Sequence, residues 1–448
     1  MSRVLVLSSS LRVATRRHAL QPPVRSLCGN NARHRRSSLA LRVHRSAVAT
    51  PAASINERQR VQQTWTLLAE DRASSGAAIE KLKIQTPGVT VVSWRPELRQ
   101  TRDDDAVVAE IRVSSDARTL LDSVDVRSKA PFRAIVGFRA PRGGSDVARG
   151  HLLTEIHVAD ARQLRSVAAA AGADVVVHDD VLCTASPRSD DEAHASVPHK
   201  LKLAAVGRSR LSVDCRATPL NVRRLDVAVA GGGAVALALP SLTVSNAVCM
   251  AVAGAGEIDA IVDGAVDVGD VDLAVVGDGR VRLHVHEPAL RAADVRTKVA
   301  GAGEICVTRG LASSTEASST EASSATSFCA SQSIHIAGDG RVDLGDVPTA
   351  RASVHVVGDG RCVVRPQQRL AVANVGAATV DCIERVPRDV ELRGAPAASV
   401  RAVEAVERGV HTVDPPPTVE TAFADGYVLR LPPQSLWTRL AQAFSSSR

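Results

Sequence analysis

The sequence predicts an all-β chain built as a right-handed single-stranded parallel β-helix, with rungs of about 18–24 residues and short terminal helices. Three observations predict it. A glycine turn recurs down the chain, the residues after each turn alternate apolar and polar, and the composition is 45% hydrophobic but only 2% aromatic. A core so poor in aromatics is filled by Val, Ala, Leu and Ile, the small and evenly sized side chains that suit repeated strands.

Residues 1–56 are read as a disordered organelle transit peptide. They carry ten Arg and no Lys, and the first acidic residue is Glu57. The formal charge of +7 belongs to this leader, because without it 45 basic residues face 48 acidic ones. Arg- and Ser-rich, carboxylate-free composition is that of mitochondrial import, which places the chain in the mitochondrial matrix, with a plastid or secretion as alternatives. A secretory core needs an apolar run of roughly 7 to 15 residues, whereas "VLVL" is broken at once by "SSS". No run approaches the roughly 18 apolar residues of a membrane-spanning helix.

Residues 57–76 are expected to form a linker with a short helix at "VQQTWTLLAE", and residues 77–388 the β-helix. Its turns read "VGRSRLSV" from Val206, "AGGGAVAL" from Ala230, "AGAGEIDA" from Ala253, "VGDGRVRL" from Val276, "AGAGEICV" from Ala300, "AGDGRVDL" from Ala337, "VGDGRCVV" from Val357 and "VGAATVDC" from Val375. The first glycines, Gly207, Gly231, Gly254, Gly277, Gly301, Gly338, Gly358 and Gly376, are spaced by 24, 23, 23, 24, 37, 20 and 18 residues. Such a period is that of a solenoid, in which one repeat cannot bury its apolar face alone and gains burial and backbone pairing from its neighbours.

After each turn come pairs such as Val235 and Leu237, Ile258 and Ala260, and Val281 and Leu283, which is the period of a strand. A second alternating stretch precedes each turn ("VCMAVAG", "DLAVVG") and a third lies between ("LTVSN", "AVDVGD"). Leucine-rich repeats share the period, and "LPSLTVSN" matches their phrase, but the Asn does not recur and no helical segment accompanies each repeat. The long step of 37 contains "ASSTEASSTEASSATS", too polar to offset its ordering entropy, so residues 311–330 are read as a loop insertion.

Residues 389–448 are read as a tail ending in an amphipathic capping helix. In "SLWTRLAQAF", Leu436, Leu440 and Phe444 share one helical face with Trp437 beside them. Such a helix covers the unpaired edge of the last rung, and peripheral contact with a membrane or partner is the alternative use.

With the upstream stretches "IEKLKIQTPGVTVVSW", "AVVAEIRVSSDARTLLDSVDVR" and "LLTEIHVADARQLRSVAAAAGADVVV", the chain resembles the family named "putative auto-transporter adhesin head", the GIN domain, over residues 77–388. Its rungs repeat a Ser-Gly-Ser-Gly-Asp turn followed by alternating Val, and residues 170–175 stand where the first such turn belongs. The resemblance implies a right-handed β-helix and an adhesin-like binding role. The chain departs from the family in carrying Ala or Val for the turn serines, and in its Arg-rich leader.

The residues give no catalytic, cofactor-binding or metal assignment; the turn glycines are structural. Behind each second turn glycine stand Ala234, Glu257, Arg280, Glu304, Arg341 and Arg361, a corner ladder of the kind that contributes about 0 to 1 kcal/mol per exposed pair. Asp278, Asp339 and Asp359 lie between glycines, but a period near 23 does not bring together the six or more oxygens that calcium takes. His284 and His286 share a strand face and hold a metal only if a neighbouring rung adds a ligand.

Eight cysteines include no CxxC pair, so they read as small buried side chains. Gly-x-Gly here lacks the third glycine and following helix of a dinucleotide site, and scarce aromatics argue against nucleic acid. The expected function is a non-enzymatic binding or scaffolding module for a protein or glycan partner. A carbohydrate-active β-helix enzyme of the polysaccharide lyase or hydrolase type is the second reading.

Overall fold

The computed structural model describes residues 41–46, 61–69, 78–100, 106–129, 132–138, 147–184, 199–286, 290–309, 328–394, 399–404 and 427–430. These are almost all strand, and most of the pairing is parallel. The pattern is set by the glycine turn. Each strand running into a turn pairs with the corresponding strand one repeat earlier and one repeat later, so Val206, Ala230, Ala253, Val276, Ala300, Ala337, Val357 and Val375 stand in one register row. The strands leaving the turns do the same, aligning Ala234, Glu257, Arg280, Glu304, Arg341, Arg361 and Thr379. A third row, Leu220, Leu242, Val266 and Leu290, is formed by the first residues of the long strands.

The glycines make this register possible. Their φ values run from +77° at Gly207 to +139° at Gly376, a region that costs an L side chain strain. At Gly277 a Cβ would also lie 2.7 Å from the Gly254 carbonyl oxygen. The second glycine is needed for space: a Cβ on Gly279 would lie 2.4 Å from Val252 Cγ1 and 2.6 Å from the Gly256 oxygen. The long step between Gly301 and Gly338 leaves the column intact, since Gly338 approaches Gly301 as Gly301 approaches Gly277.

Period-two alternation sends every second side chain inward. The row Leu203, Val227, Met250, Leu273, Thr297, Ile334, Val354 and Val372 is buried throughout, and it ends at the half-exposed Leu392. Contacts between inward side chains of successive repeats join these residues into one core. Cys183, Cys215, Cys329, Cys362 and Cys382 are buried, and no described cysteine is in a disulfide. Burial pushes the Cys215 thiol up to about 12 and those of Cys329 and Cys382 to about 11, which makes them poor nucleophiles.

The ladders start upstream of the glycine repeats. Lys81–Ile84, Arg133–Phe138 and Ser166–Ala169 join the pre-turn row, and Gly88–Trp94, Leu152–Val158 and Ala173–Val177 the post-turn row. Antiparallel strands add to this end: Val107–Ser115 on Leu152–Val158, Val61–Ala69 on Val107–Ser115, and Leu41–Ser46 on Val61–Ala69. At the other end Asp389–Arg393 and Val400–Val403 continue the two rows past residue 388.

Three expectations change here. The segment expected as a short helix near Trp65 is the strand Val61–Ala69, because Gln63, Trp65 and Leu67 alternate inward with period two. Leu41–Ser46, placed by sequence in a disordered leader, is a strand whose Arg45 bonds Gln63 and lies over the Trp65 ring. Phe328–Ala337 begins inside the expected loop 311–330, the rest of which lies outside the described residues. The helix expected at Leu436, Trp437, Leu440 and Phe444 also lies outside them.

Candidate functional site

Inward positions of the ladders are mostly committed to the core, so the charged side chains of the repeats stand mainly at outward ones. The corner row places Glu257, Arg280, Glu304, Arg341 and Arg361 in consecutive register, but only Arg280 and Glu304 pair directly along it, at 3.6 Å. The others turn sideways to the next outward row. Arg282 reaches Glu257 at 2.8 Å and Asp259 at 3.5 Å, Arg341 reaches Asp343 at 3.6 Å, and Arg361 reaches Asp381 at 2.6 Å. This relieves the like charges of Arg341 and Arg361, neighbours in the row.

Two carboxyls in that outward row behave oppositely. Burial pushes Asp381 up, but hydrogen bonds from Arg401 and Arg361 outweigh it and hold the carboxyl below its usual range. Asp259 is raised to about 6, first by burial and then by the charge of Glu257, against the opposing pull of Arg282.

The turn aspartates do not converge. Asp359 accepts a hydrogen bond at 3.3 Å from the amide of Ala377 in the next repeat, and among the described residues no three His, Cys, Asp or Glu side chains are grouped to hold a metal. His284 is buried with Nδ1 2.6 Å from Thr308 Oγ1, and His286 Nδ1 lies 2.8 Å from Asp263. The two rings meet edge to face at 4.7 Å, so the pair has neighbours other than a metal.

Sequence reasoning missed two further groups. Ser93 and His157 sit opposite each other, with the Ser93 hydroxyl 2.8 Å from His157 Nδ1. Burial, then the charges of Arg95 and Arg112, lower His157 to about 4, far from the value a general base needs near neutral pH. No motif announces this pair, because its members are brought together only by strand register. The second group lies on the pre-turn face. Lys298, His335 and His355 occupy one outward row on successive strands, and the rings of His335 and His355 stack at 5.2 Å with planes 16° apart. Their signal was present as a repeat-breaking position: the same row holds Ala228, Ala251 and Ala274 in earlier repeats.

No protein-family profile and no curated protein matches the chain. Among solved structures it is similar to a "putative adhesin" from Parabacteroides merdae, at 12% identity and a TM-score of 0.41, covering 73% of this chain and 97% of that one. It is also similar to a "putative adhesin" from Parabacteroides distasonis, at 10% identity and a TM-score of 0.34, covering 82% of this chain and 94% of that one. A "putative lipid binding protein" from the same species gives 10% identity and a TM-score of 0.33, covering 77% and 97%. These solved neighbours are bacterial proteins, and the assignment of a transit peptide and the mitochondrial matrix is corrected accordingly. The Arg-rich, acid-free segment behind that assignment is a compositional signal and names no compartment by itself.

Proposed function

We propose that the chain is a non-enzymatic binding and scaffolding module whose three parallel rows are the faces of a right-handed single-stranded β-helix, and whose partner is a protein or glycan. The observation that carries this reading is the division of labour between the two sides of each strand. The inward row from Leu203 to Val372 stays buried and, apart from Thr297, apolar, while the outward row one position along changes from Ala228 to Lys298 to His335. A stacked core that tolerates any outward residue is a rigid display surface. Charged side chains pair between neighbouring repeats at several places, as at Arg282 with Glu257 or Asp381 with Arg361 and Arg401.

A carbohydrate-active enzyme is the second reading, favoured by one observation. Asp259 beside Glu257 is a carboxyl raised to about 6, the direction in which a general acid is tuned. The two readings part in one experiment: the full chain is incubated with immobilised glycans and with soluble acidic and neutral polysaccharides. Retention on a glycan with no new reducing or unsaturated ends supports the module. Steady release of such ends, lost in Asp259→Asn, would replace it with the enzyme.

A further inference from the structure

Several outward cations near this face contact carboxylates. Arg296 contacts Asp270, Asp272 and Asp294; Arg369 contacts Asp389 and Glu391; Arg393 contacts Glu391. The row Lys298, His335 and His355 differs from these neighbours. None of the three has a carboxylate partner among the described residues, and Lys298 and His335 stand on adjacent strands. Parallel strands lie about 4.8 Å apart, so three basic groups are held in line with no counter-charge between them.

What lies beside the row is polar and open. Ser333 and Ser353 occupy the neighbouring outward row, next to His335 and His355 respectively, and Ser333 Oγ lies 3.3 Å from His335 Nε2. The next strand carries Ala371 and Ala373 in those two rows, and the one after it Glu391 and Arg393. Small side chains between large ones leave a cleft of about 220 Å3, with Ser353 and His355 on one wall, Glu391 and Arg393 on the other, and Ala371 and Ala373 between. The groups facing the imidazoles are therefore Lys298, Arg296 and Asp294 on one strand, Ser331 and Ser333 beside His335, Arg351 and Ser353 beside His355, Arg369 on the next strand, and Asp389, Glu391 and Arg393 beyond it. Of these, Glu391 is held by hydrogen bonds from Arg393 and Arg369, and Asp294 by Arg296 and Ser331.

We propose that Lys298, His335 and His355, with Ser353 and Arg393 at the adjoining cleft, form a binding site for a sulfate or phosphate group, free or carried as an ester. Such a group supplies the negative charge the row lacks and accepts from an ammonium, from imidazolium N–H groups and from a serine hydroxyl together. The cleft beside His355 gives room for part of the molecule that carries the ester. His335, stacked on His355 and close to Lys298, resists protonation when the site is empty: burial, then the charges of His355 and Lys298, lower it. A bound anion reverses that penalty, so binding and proton uptake are linked. The site thus strengthens as pH falls through the histidine range.

This inference rests on the binding-module reading and names its ligand chemistry. The test is calorimetric titration of the full chain at pH 5.0 and 7.5 with sodium sulfate, sodium phosphate, galactose 6-sulfate and galactose. Affinity for at least one anion about tenfold tighter at pH 5.0 is expected, with galactose silent. In His335→Gln/His355→Gln the pH dependence disappears, and in Lys298→Ala binding weakens at both pH values. Preference for galactose 6-sulfate over sulfate assigns an esterified ligand, and equal affinity a free ion; either supports the site. NMR titration of the imidazoles in the unsubstituted chain guards against a variant that folds badly, since sulfate should raise the titration midpoints of His335 and His355. Absence of anion binding at pH 5.0, midpoints that stay put, or a double variant that binds like its parent overturns the proposal. Any of these leaves glycan retention without cleavage, and so the module reading itself, untouched.

Discussion

Gly277 shows how a single missing Cβ governs the register of two repeats. Its φ of +110° and the 2.7 Å approach to the Gly254 oxygen add conformational and steric penalties, so Gly277→Ala should lower stability by about 1 to 3 kcal/mol. Gly232 has open space around its Cβ position, and Gly232→Ala should change the urea midpoint little. Equal midpoints for both variants would show that the column does not depend on glycine.

Thr297 makes the opposite case, as a polar residue in an apolar row. It is fully buried between Leu273 and Ile334, and its hydroxyl has no hydrogen-bond partner among the described residues. Thr297→Val keeps the shape and removes the desolvation cost, which should raise stability by about 1 to 2 kcal/mol in the same assay. Asp259 gives a pH-dependent counterpart. A carboxyl raised on folding supports the fold below its unfolded value and loses that support as pH climbs through its folded value of about 6. Stability contributed by this group therefore falls between about pH 4 and pH 6. Asp259→Asn should melt higher than its parent at pH 7, by at most about 3 kcal/mol, and match it at pH 4; a difference independent of pH refutes the assignment.

At the scale of elements, each repeat is held by its two neighbours more than by its own loops. The column passes from Gly301 to Gly338 unchanged although 37 residues separate them, so the register of the ladders does not follow the length of that step. Deleting residues 313–325 should alter stability by less than about 1 kcal/mol, because loop-closure entropy grows only slowly with length. A cooperative loss of structure on deletion, seen by circular dichroism, would mean the insert is part of the packing. The strand Val61–Ala69 was legible in principle, since Gln63, Trp65 and Leu67 alternate, but the run also fits a short amphipathic helix. Its partner Val107–Ser115 lies some 45 residues on, and no local pattern contains that pairing.

At the scale of the whole molecule, the antiparallel strands Leu41–Ser46, Val61–Ala69 and Val107–Ser115 extend the sheet beyond Leu152–Val158 at one end of the post-turn row. Removing residues 1–56 takes away Leu41–Ser46 and bares the edge of Val61–Ala69. Exposed edges template association, so this truncation should form concentration-dependent oligomers in light scattering, while a chain starting at residue 41 should not. Identical behaviour of the two would show that Leu41–Ser46 does not protect the edge.

The amino-acid sequence by itself determined the repeat, its period, the glycine turns and which side of each strand is apolar, because those are local properties: φ preference, side-chain size and period-two alternation. Tertiary structure alone decided which outward groups meet. Whether Arg361 finds Asp381, whether Ser93 faces His157, and whether Lys298, His335 and His355 share one row depend on the register between strands 18 to 64 residues apart. A slip of one residue would turn each of those side chains to the other face.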